Sequence, residues 1–267
     1  MIKISVITVV KNRVSTIDQA IKSILIQDYK YFEIIVIDGK STDGTMEKLQ
    51  SYKQNFKVLI SENDNGVYHA MNRGLNYVTG DVVCFLNSDD FYADSKVFSS
   101  IANIFQHKKY DIVYGDIIYI TQNKPNKIIR YWKNKLVSKK SFLIGHHPPH
   151  PAFFAKKNLY DKYSNFKTNL IAADFDLMMT IFNKSKCSHY LKKICVVMRL
   201  GGISNKNINN IVSQNIQLIK IIKNHNQKSS VILFLLIKPL FRFSQFVSAL
   251  IHKDAIQKAV TVEEIGN

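Results

Sequence analysis

The first hundred residues predict an α/β fold built on a mostly parallel sheet, and three observations carry that prediction. Short apolar runs rich in β-branched residues recur at 3–10, 32–38, 57–61 and 82–86, as in strands buried on both faces. Helical periodicity fills the gaps between them, which makes βαβ units with right-handed crossovers. Three of the runs end in polar residues, at Lys11-Asn12, at Asp38 and at Asn87 to Asp90. One edge of the sheet therefore collects all three, and ligands of open α/β sheets bind beyond the carboxyl ends of the strands.

Each element has its own signal. KISVITVV (3–10) is dense in β-branched residues. Thr16 and Gln19 then fit a capping box, opening a helix whose apolar face is Ile17, Ala20, Ile21, Ile24 and Leu25. FEIIVID (32–38) is the second strand. The turn-rich stretch 39–45 leads into a helix near 45–54, and KVLIS (57–61) is the third strand. Residues 67–78 read as a helix closed by Gly80, and the fourth strand runs straight into Asn87-Ser88-Asp89-Asp90. A helix at 94–107 and a strand at 111–120 follow, then a basic, aromatic, irregular stretch from Lys124 to Lys140.

Three prolines pin His146-His147-Pro148-Pro149-His150-Pro151 into a rigid loop. Its histidines admit a metal, but a loop that shapes a pocket is the favoured reading. Residues 169–184 form a helix carrying Asp174 and Asp176. Two positions apart on a helix point to different faces, so both cannot serve one site. A strand at 190–198, a loop at 199–204, an amphipathic helix at 208–225 and a frayed acidic tail at 259–267 complete the chain.

Composition narrows the class. At 267 residues, with 46% apolar and 21% charged content, the chain supports one good-sized core and is not disordered. Cys84, Cys187 and Cys195 have no metal-ligand spacing, which favours reduced thiols in the cytosol. The chain enters a strand directly, so no signal peptide is expected. Residues 1–100 hold 11 Lys/Arg against 12 Asp/Glu, whereas 101–267 hold 26 against 8. The basic half calls for an anionic partner or surface. Within 231–251 the apolar run stops after seven residues at Lys238, too short to span a bilayer. This basic, aromatic segment reads as lying in a membrane interface, the alternative being a helix packed back onto the domain.

Five segments in order, VITVVKN (6–12), IDGKSTDGT (37–45), NDNGVYHAMNRGLNYVTGD (63–81), LNSDD (86–90) and AADFDL (172–177), together resemble family-two glycosyltransferases. These are inverting enzymes that use nucleotide-diphosphate sugars. The resemblance covers about 1–205 and implies a GT-A fold, a Rossmann-like three-layer α/β/α domain. Its nucleotide-sugar half would be 1–100 and its acceptor half 101–205, with 206–267 a helical, membrane-associating extension. By resemblance Asp89 ligates Mn2+ or Mg2+ and Asp90 supports the metal or donor. Asn87 stands where the family usually has aspartate, which would weaken the pull on a cation. Asp38 would accept from the base, favouring uracil and hence a UDP-sugar, and Thr8, Val9 and Val10 would flank it. Asn12, Asp64, Asn72, Arg73 and Ser88 complete the donor-binding set. Asp174 matches the general base, with Asp176 as its rival.

The segments HPPHPAFF (147–154) and GGIS (201–204) resemble those of enzymes that build bacterial surface polysaccharide, whether O-antigen, capsule or exopolysaccharide. That implies a glycan or polyprenyl-diphosphate-linked acceptor, an anionic membrane surface and a peripheral site on the cytoplasmic face, with no nucleic acid. Two other functions compete. A nucleotidyltransferase of similar fold would carry a glycine-rich loop after the first strand, where this chain has Lys11-Asn12-Arg13. A basic nucleic-acid-binding protein would not need carboxylates converging on one pocket.

Overall fold

The computed structural model describes residues 1–107, 109–121, 127–163, 165–200, 208–225, 231–253 and 256. The loop at 201–204 and the tail at 259–267 lie outside the described residues. Strand β1 (Ile4–Val10) is buried along its whole length. It runs parallel between β2 (Phe32–Asp38) and β4 (Val82–Phe85), and β3 (Val58–Ser61) extends the sheet beyond β2. The helices α1 (Ile17–Leu25), α2 (Thr45–Ser51) and α3 (Val67–Leu75) make the crossovers. Val10 pairs with Asp38, and Ile7 with Phe85, so the polar ends of three strands share one edge.

The second half returns to the same sheet. β8 (Phe153–Lys156) is antiparallel to both β4 and β6 (Ile112–Ile120), while β9 (Ser188–Arg199) runs parallel to β6. The short β5 (Phe91–Tyr92) closes the far edge, giving the order β3-β2-β1-β4-β8-β6-β9-β5. β8 covers only the first part of β6, and β7 (Ile128–Trp132) takes the later part. β6 therefore continues past the carboxyl edge and raises a wall above it. Alternate residues of β1 enter opposite cores. Ile7 and Val9 meet α3 and α6 (Ala173–Lys184), and Val6 and Val10 meet α1 and α4 (Val97–Gln106). This is the three-layer GT-A arrangement.

Some local expectations are corrected. The stretch 124–140, expected to be irregular, contains β7 and the start of a 3-10 helix at Lys139–Ile144. Thr16 precedes α1 but makes no side-chain cap. Its hydroxyl donates 2.9 Å to the carbonyl of Ser88 instead, and Gln19 accepts from Arg199. The two polar side chains of the apparent capping box thus reach the acidic loop at Ser88 and the end of β9 at Arg199.

A buried acid ties the amino ends of the strands together. Glu33 accepts from Ser5 Oγ at 2.6 Å and from Thr79 N at 2.7 Å, with Lys3 Nζ at 2.5 Å. Burial alone would raise its pKa, but Lys3, Ser5 and Thr79 outweigh that and bring it down to about 2.

The described helices of 206–267 pack into the domain. Leu218, Ile221 and Ile222 of α7 (Ile208–Asn224) join the α6 core, as does Phe234 of α8 (Val231–Ile251). Ala249 meets Ile118 and Tyr131. By length and composition Phe234–Ile251, with mean hydropathy 1.5, is long and apolar enough to cross a membrane, which the seven-residue run did not suggest. One of its faces is committed to protein, however, and the other is open. Gly145, at φ +73°, lets α8 approach closely, since a Cβ there would lie 3.2 Å from Lys238 and Phe234.

Candidate active site

A cavity of about 700 Å³ opens at the carboxyl edge, between the end of β1 and the wall made by β6 and β7. The acidic loop after β4 forms one side of it. Asp90 is buried, and its neighbour Asp89 keeps a side chain 24% exposed at the cavity. Burial, reinforced by the charge of Asp89, pushes Asp90 up to about 8. The Asn87 amide opposes this by donating 2.9 Å to Asp90 Oδ2. An ionised aspartate at 87 could not make this donation to Asp90.

Three outside residues hold this loop. Thr16 binds the Ser88 carbonyl, Arg199 Nη1 donates 2.5 Å to the Asp89 carbonyl, and Arg13 Nε lies 3.8 Å from Asp89 Oδ2. The Asp89 carboxylate is left facing the cavity. Among the described residues no group of three or more His, Cys, Asp or Glu could hold a metal by itself. The carboxylate oxygens of Asp89 are the donor type that would suit a hard divalent cation, with most of its ligands supplied from outside the protein. Among the described residues the three histidines do not come together as such a group. Burial lowers His147 to about 4 and also lowers His150, so both line the cavity as neutral rings.

Across the site, the first turn of α6 carries Asp174. Its start is fixed from α7, because Gln217 Oε1 accepts from the N–H groups of Ile171 and Ala172 at 2.7 and 3.0 Å. The Tyr68 hydroxyl lies 3.2 Å from Asp174 Oδ1 and 3.0 Å from the Ile171 carbonyl. Burial, then the charge of Asp174, pushes the Tyr68 phenol well up, so it stays a donor. Asp176 points elsewhere. It is buried between Lys167 Nζ at 3.0 Å and His225 Nε2 at 3.1 Å. Burial would raise its pKa, but these two partners bring it down.

Of the residues expected from sequence, Val9, Val10, Asp64, Asn87, Ser88, Asp89, Asp90 and Asp174 all line this cavity. Five others do not. Thr8 is buried within β1. Asp38 is also wholly buried, and its oxygens accept from Ser41 N and Oγ and from Ser61 Oγ. It holds the following loop, with its acceptor capacity largely used. Asn12 (φ +52°) accepts from Thr42 N. Asn72 clamps the backbone of Phe166 through both its amide nitrogen and its oxygen. Arg73 lies 2.8 Å from Glu62. Sequence reasoning missed Tyr68, Arg130, Arg199, Lys238 and Arg242 as cavity residues. Arg199 alone had a signal, at the end of a strand before a glycine-rich loop.

The sequence profile described as glycosyl transferase family 2 matches residues 5–187. The chain belongs to this family. Relatives agree. This glycosyltransferase is 27% identical over 212 residues to a PGL/p-HBAD biosynthesis glycosyltransferase of Mycobacterium bovis, covering 75% of this chain and 78% of that one. It is 30% identical over 115 residues to the putative glycosyltransferase EpsE of Bacillus subtilis, 42% of this chain and 41% of that protein. Its fold is that of S. aureus TarS 1–349 in complex with UDP-GlcNAc (TM-score 0.65, 17% identity, 90% of this chain and 71% of that one). The mannosyltransferase PcManGT from Pyrobaculum calidifontis, in complex with GDP-Man and Mn2+, is similar too (TM-score 0.63, 17% identity, 94% and 75%). Neither the nucleotidyltransferase nor the nucleic-acid-binding alternative is favoured by these matches.

Proposed function

We propose that this glycosyltransferase moves a hexosyl or N-acetylhexosaminyl unit from a UDP-sugar to a hydroxyl of a lipid-linked glycan, with inversion. The observation that carries the reading is the meeting of Asp89 and Asp174 on one cavity at the carboxyl edge of the sheet. One acid suits a cation and the other a proton. Mn2+ or Mg2+ held at Asp89 would supply Lewis-acid stabilisation of the leaving diphosphate. Asp174 takes the proton of the acceptor hydroxyl while its oxygen bonds to the anomeric carbon. The bond from that carbon to the diphosphate breaks, and the nucleoside diphosphate leaves with the electron pair. In-line attack turns an α-linked donor into a β-linked product. The Tyr68 hydroxyl holds the Asp174 carboxylate, and His147 and His150 line the same cavity as neutral rings.

The uridine assignment leans on the UDP and UDP-GlcNAc complexes of the TarS neighbour, because Asp38 is otherwise engaged. The membrane assignment leans on the basic second half and the open apolar face of α8. Together they favour a peripheral enzyme of surface-polysaccharide assembly on the cytoplasmic face. A thermal-shift screen of nucleotide diphosphates with and without Mn2+ tests the donor site. Stabilisation by UDP plus metal, lost in Asp89→Ala, is expected. A response to GDP alone would reassign the donor, and salt-sensitive DNA binding indifferent to UDP would overturn the enzyme reading.

A further inference from the structure

Helix α8 has two unlike faces. Leu236, Leu240, Phe243, Leu250 and Ile251 face outward and are 62–78% exposed. On the other side Phe234 and Ala249 are buried, while Lys238, Phe241, Arg242 and Gln245 line the cavity. The spacing is helical on both faces, so the cations are aimed inward by the same periodicity that aims the leucines outward. β7 sends a third cation to the same cavity. The Arg130 guanidinium lies 4.6 Å from the ring centre of Tyr119 and 5.2 Å from that of Trp132, and its Nε donates to Gln245.

Neither β7 nor α8 contains an Asp or Glu. Among the described residues Lys238 Nζ donates 2.6 Å to Asn215 Oδ1, a neutral partner, and no ion pair joins Arg130 or Lys238 to a carboxylate. Grouping cations in a half-buried place is costly. Burial, then the charge of Arg242, lowers Lys238 to about 8, and burial lowers Arg130 as well. The cost is offset when an anion with several oxygens enters.

We propose that Arg130, Lys238 and Arg242 bind the phosphate or diphosphate of a lipid-linked acceptor, whose hydrocarbon chain lies along the outward face of α8 in the membrane. This deepens the sugar-transfer reading and rests on it. A lipid phosphate fits better than a soluble one, because exposed Leu240 and Phe243 flank inward Arg242 on the same turn. The donor diphosphate has its own place near Asp89, where Arg13 and Arg199 sit. α8 then becomes a wall of the acceptor site as well as a membrane contact, and orients the acceptor sugar toward Asp174.

The test uses the full chain in mild detergent, with geranylgeranyl diphosphate, geranylgeraniol and UDP plus Mn2+ as separate probes. Geranylgeranyl diphosphate affinity should fall about tenfold or more in the Lys238→Gln/Arg242→Gln double variant. It should stay within about threefold in Arg242→Lys, while UDP affinity holds within about twofold in both. Geranylgeraniol should not distinguish wild type from variants. Unchanged prenyl-diphosphate affinity in the double variant overturns the proposal. So does a parallel fall in UDP affinity, which would give the cluster to the donor. Loss of phosphatidylglycerol-vesicle binding alone, with no prenyl-diphosphate binding by wild type, also overturns it and makes this a headgroup site. Should the double variant unfold, Lys238→Gln alone is read by the same criteria. Failure of wild type to bind any nucleotide, with prenyl diphosphate still bound, would sink the sugar-transfer reading separately.

Discussion

Replacing Glu33 with glutamine separates an acid that holds the sheet from the acids that line the cleft. Glu33 lies near the amino end of β2, whereas Asp38 and the cavity lie at its carboxyl end. Its side chain is 4% exposed and is held by Ser5, Thr79, Lys3 and, at 3.2 Å, Lys57. Its folded pKa, about 2, lies below the ordinary 4.5, so the native state prefers the carboxylate. The stabilisation is therefore fully present above pH 4.5 and is lost as pH falls through about 2. That difference corresponds to a ceiling of about 3 kcal/mol. Lys3 and Lys57 are 28% and 32% exposed, so solvent screening lowers the expected loss to about 2 kcal/mol. Urea denaturation of wild type and Glu33→Gln should show this gap at pH 7 and less than half of it at pH 3, with equal m-values. Sugar transfer at 25 °C should stay within about twofold, because no atom of the cleft has moved. A gap independent of pH, or lost turnover in a folded variant, would refute this account of Glu33.

Other substitutions divide chemistry from scaffold. Asp174→Asn should lower kcat by about 10²–10⁴-fold while donor KM stays within about twofold, measured by release of nucleoside diphosphate. Asp176→Asn should cost about 2 kcal/mol of stability, since it removes the charge that Lys167 and His225 face, yet retain turnover. Because the folded pKa of Asp176 is depressed, that gap should be full at neutral pH and close on acidification. Gly145→Val should cost about 1–3 kcal/mol for the left-handed backbone. Its branched side chain should also press on Lys238 and Phe234, seen as faster amide hydrogen exchange across 234–249.

The sheet and its functional edge were legible because period and composition act locally. Buried parallel strands must be apolar along their length, and the residue after each strand must meet solvent or ligand. The acidic loop at 87–90 could be placed for that reason. What a polar side chain does once placed is decided by residues far along the chain. Asp38 sits where expected, yet Ser61, 23 residues later, takes its oxygen. β7 was hidden because Arg130 and its basic neighbourhood look solvated in sequence. In the fold, Tyr119 and Trp132 flank the guanidinium, and Gln245, 115 residues away, takes its Nε–H. No short-range pattern announces that partnership, and α8 entered the cavity unannounced for the same reason.

The two acid pairs, Asp89 with Asp90 and Asp174 with Asp176, follow one rule. Sequence assigns both acids of the first pair to one site, Asp89 to the cation and Asp90 in support, and lets only one acid of the second pair serve, on grounds of helix geometry. The choice falls to whichever carboxylate is left without partners strong enough to consume it. Asp90 is buried and takes the Asn87 amide; Asp176 is buried and takes Lys167 and His225. Among the described residues Asp89 keeps a long contact to Arg13, and Asp174 the single hydroxyl of Tyr68. Those two carboxylates can still bind something else, and both face the cavity. Asp90 and Asp176 spend their oxygens on the side chains of Asn87 and of Lys167 and His225, which leaves Asp89 and Asp174 as the freer carboxylate of each pair.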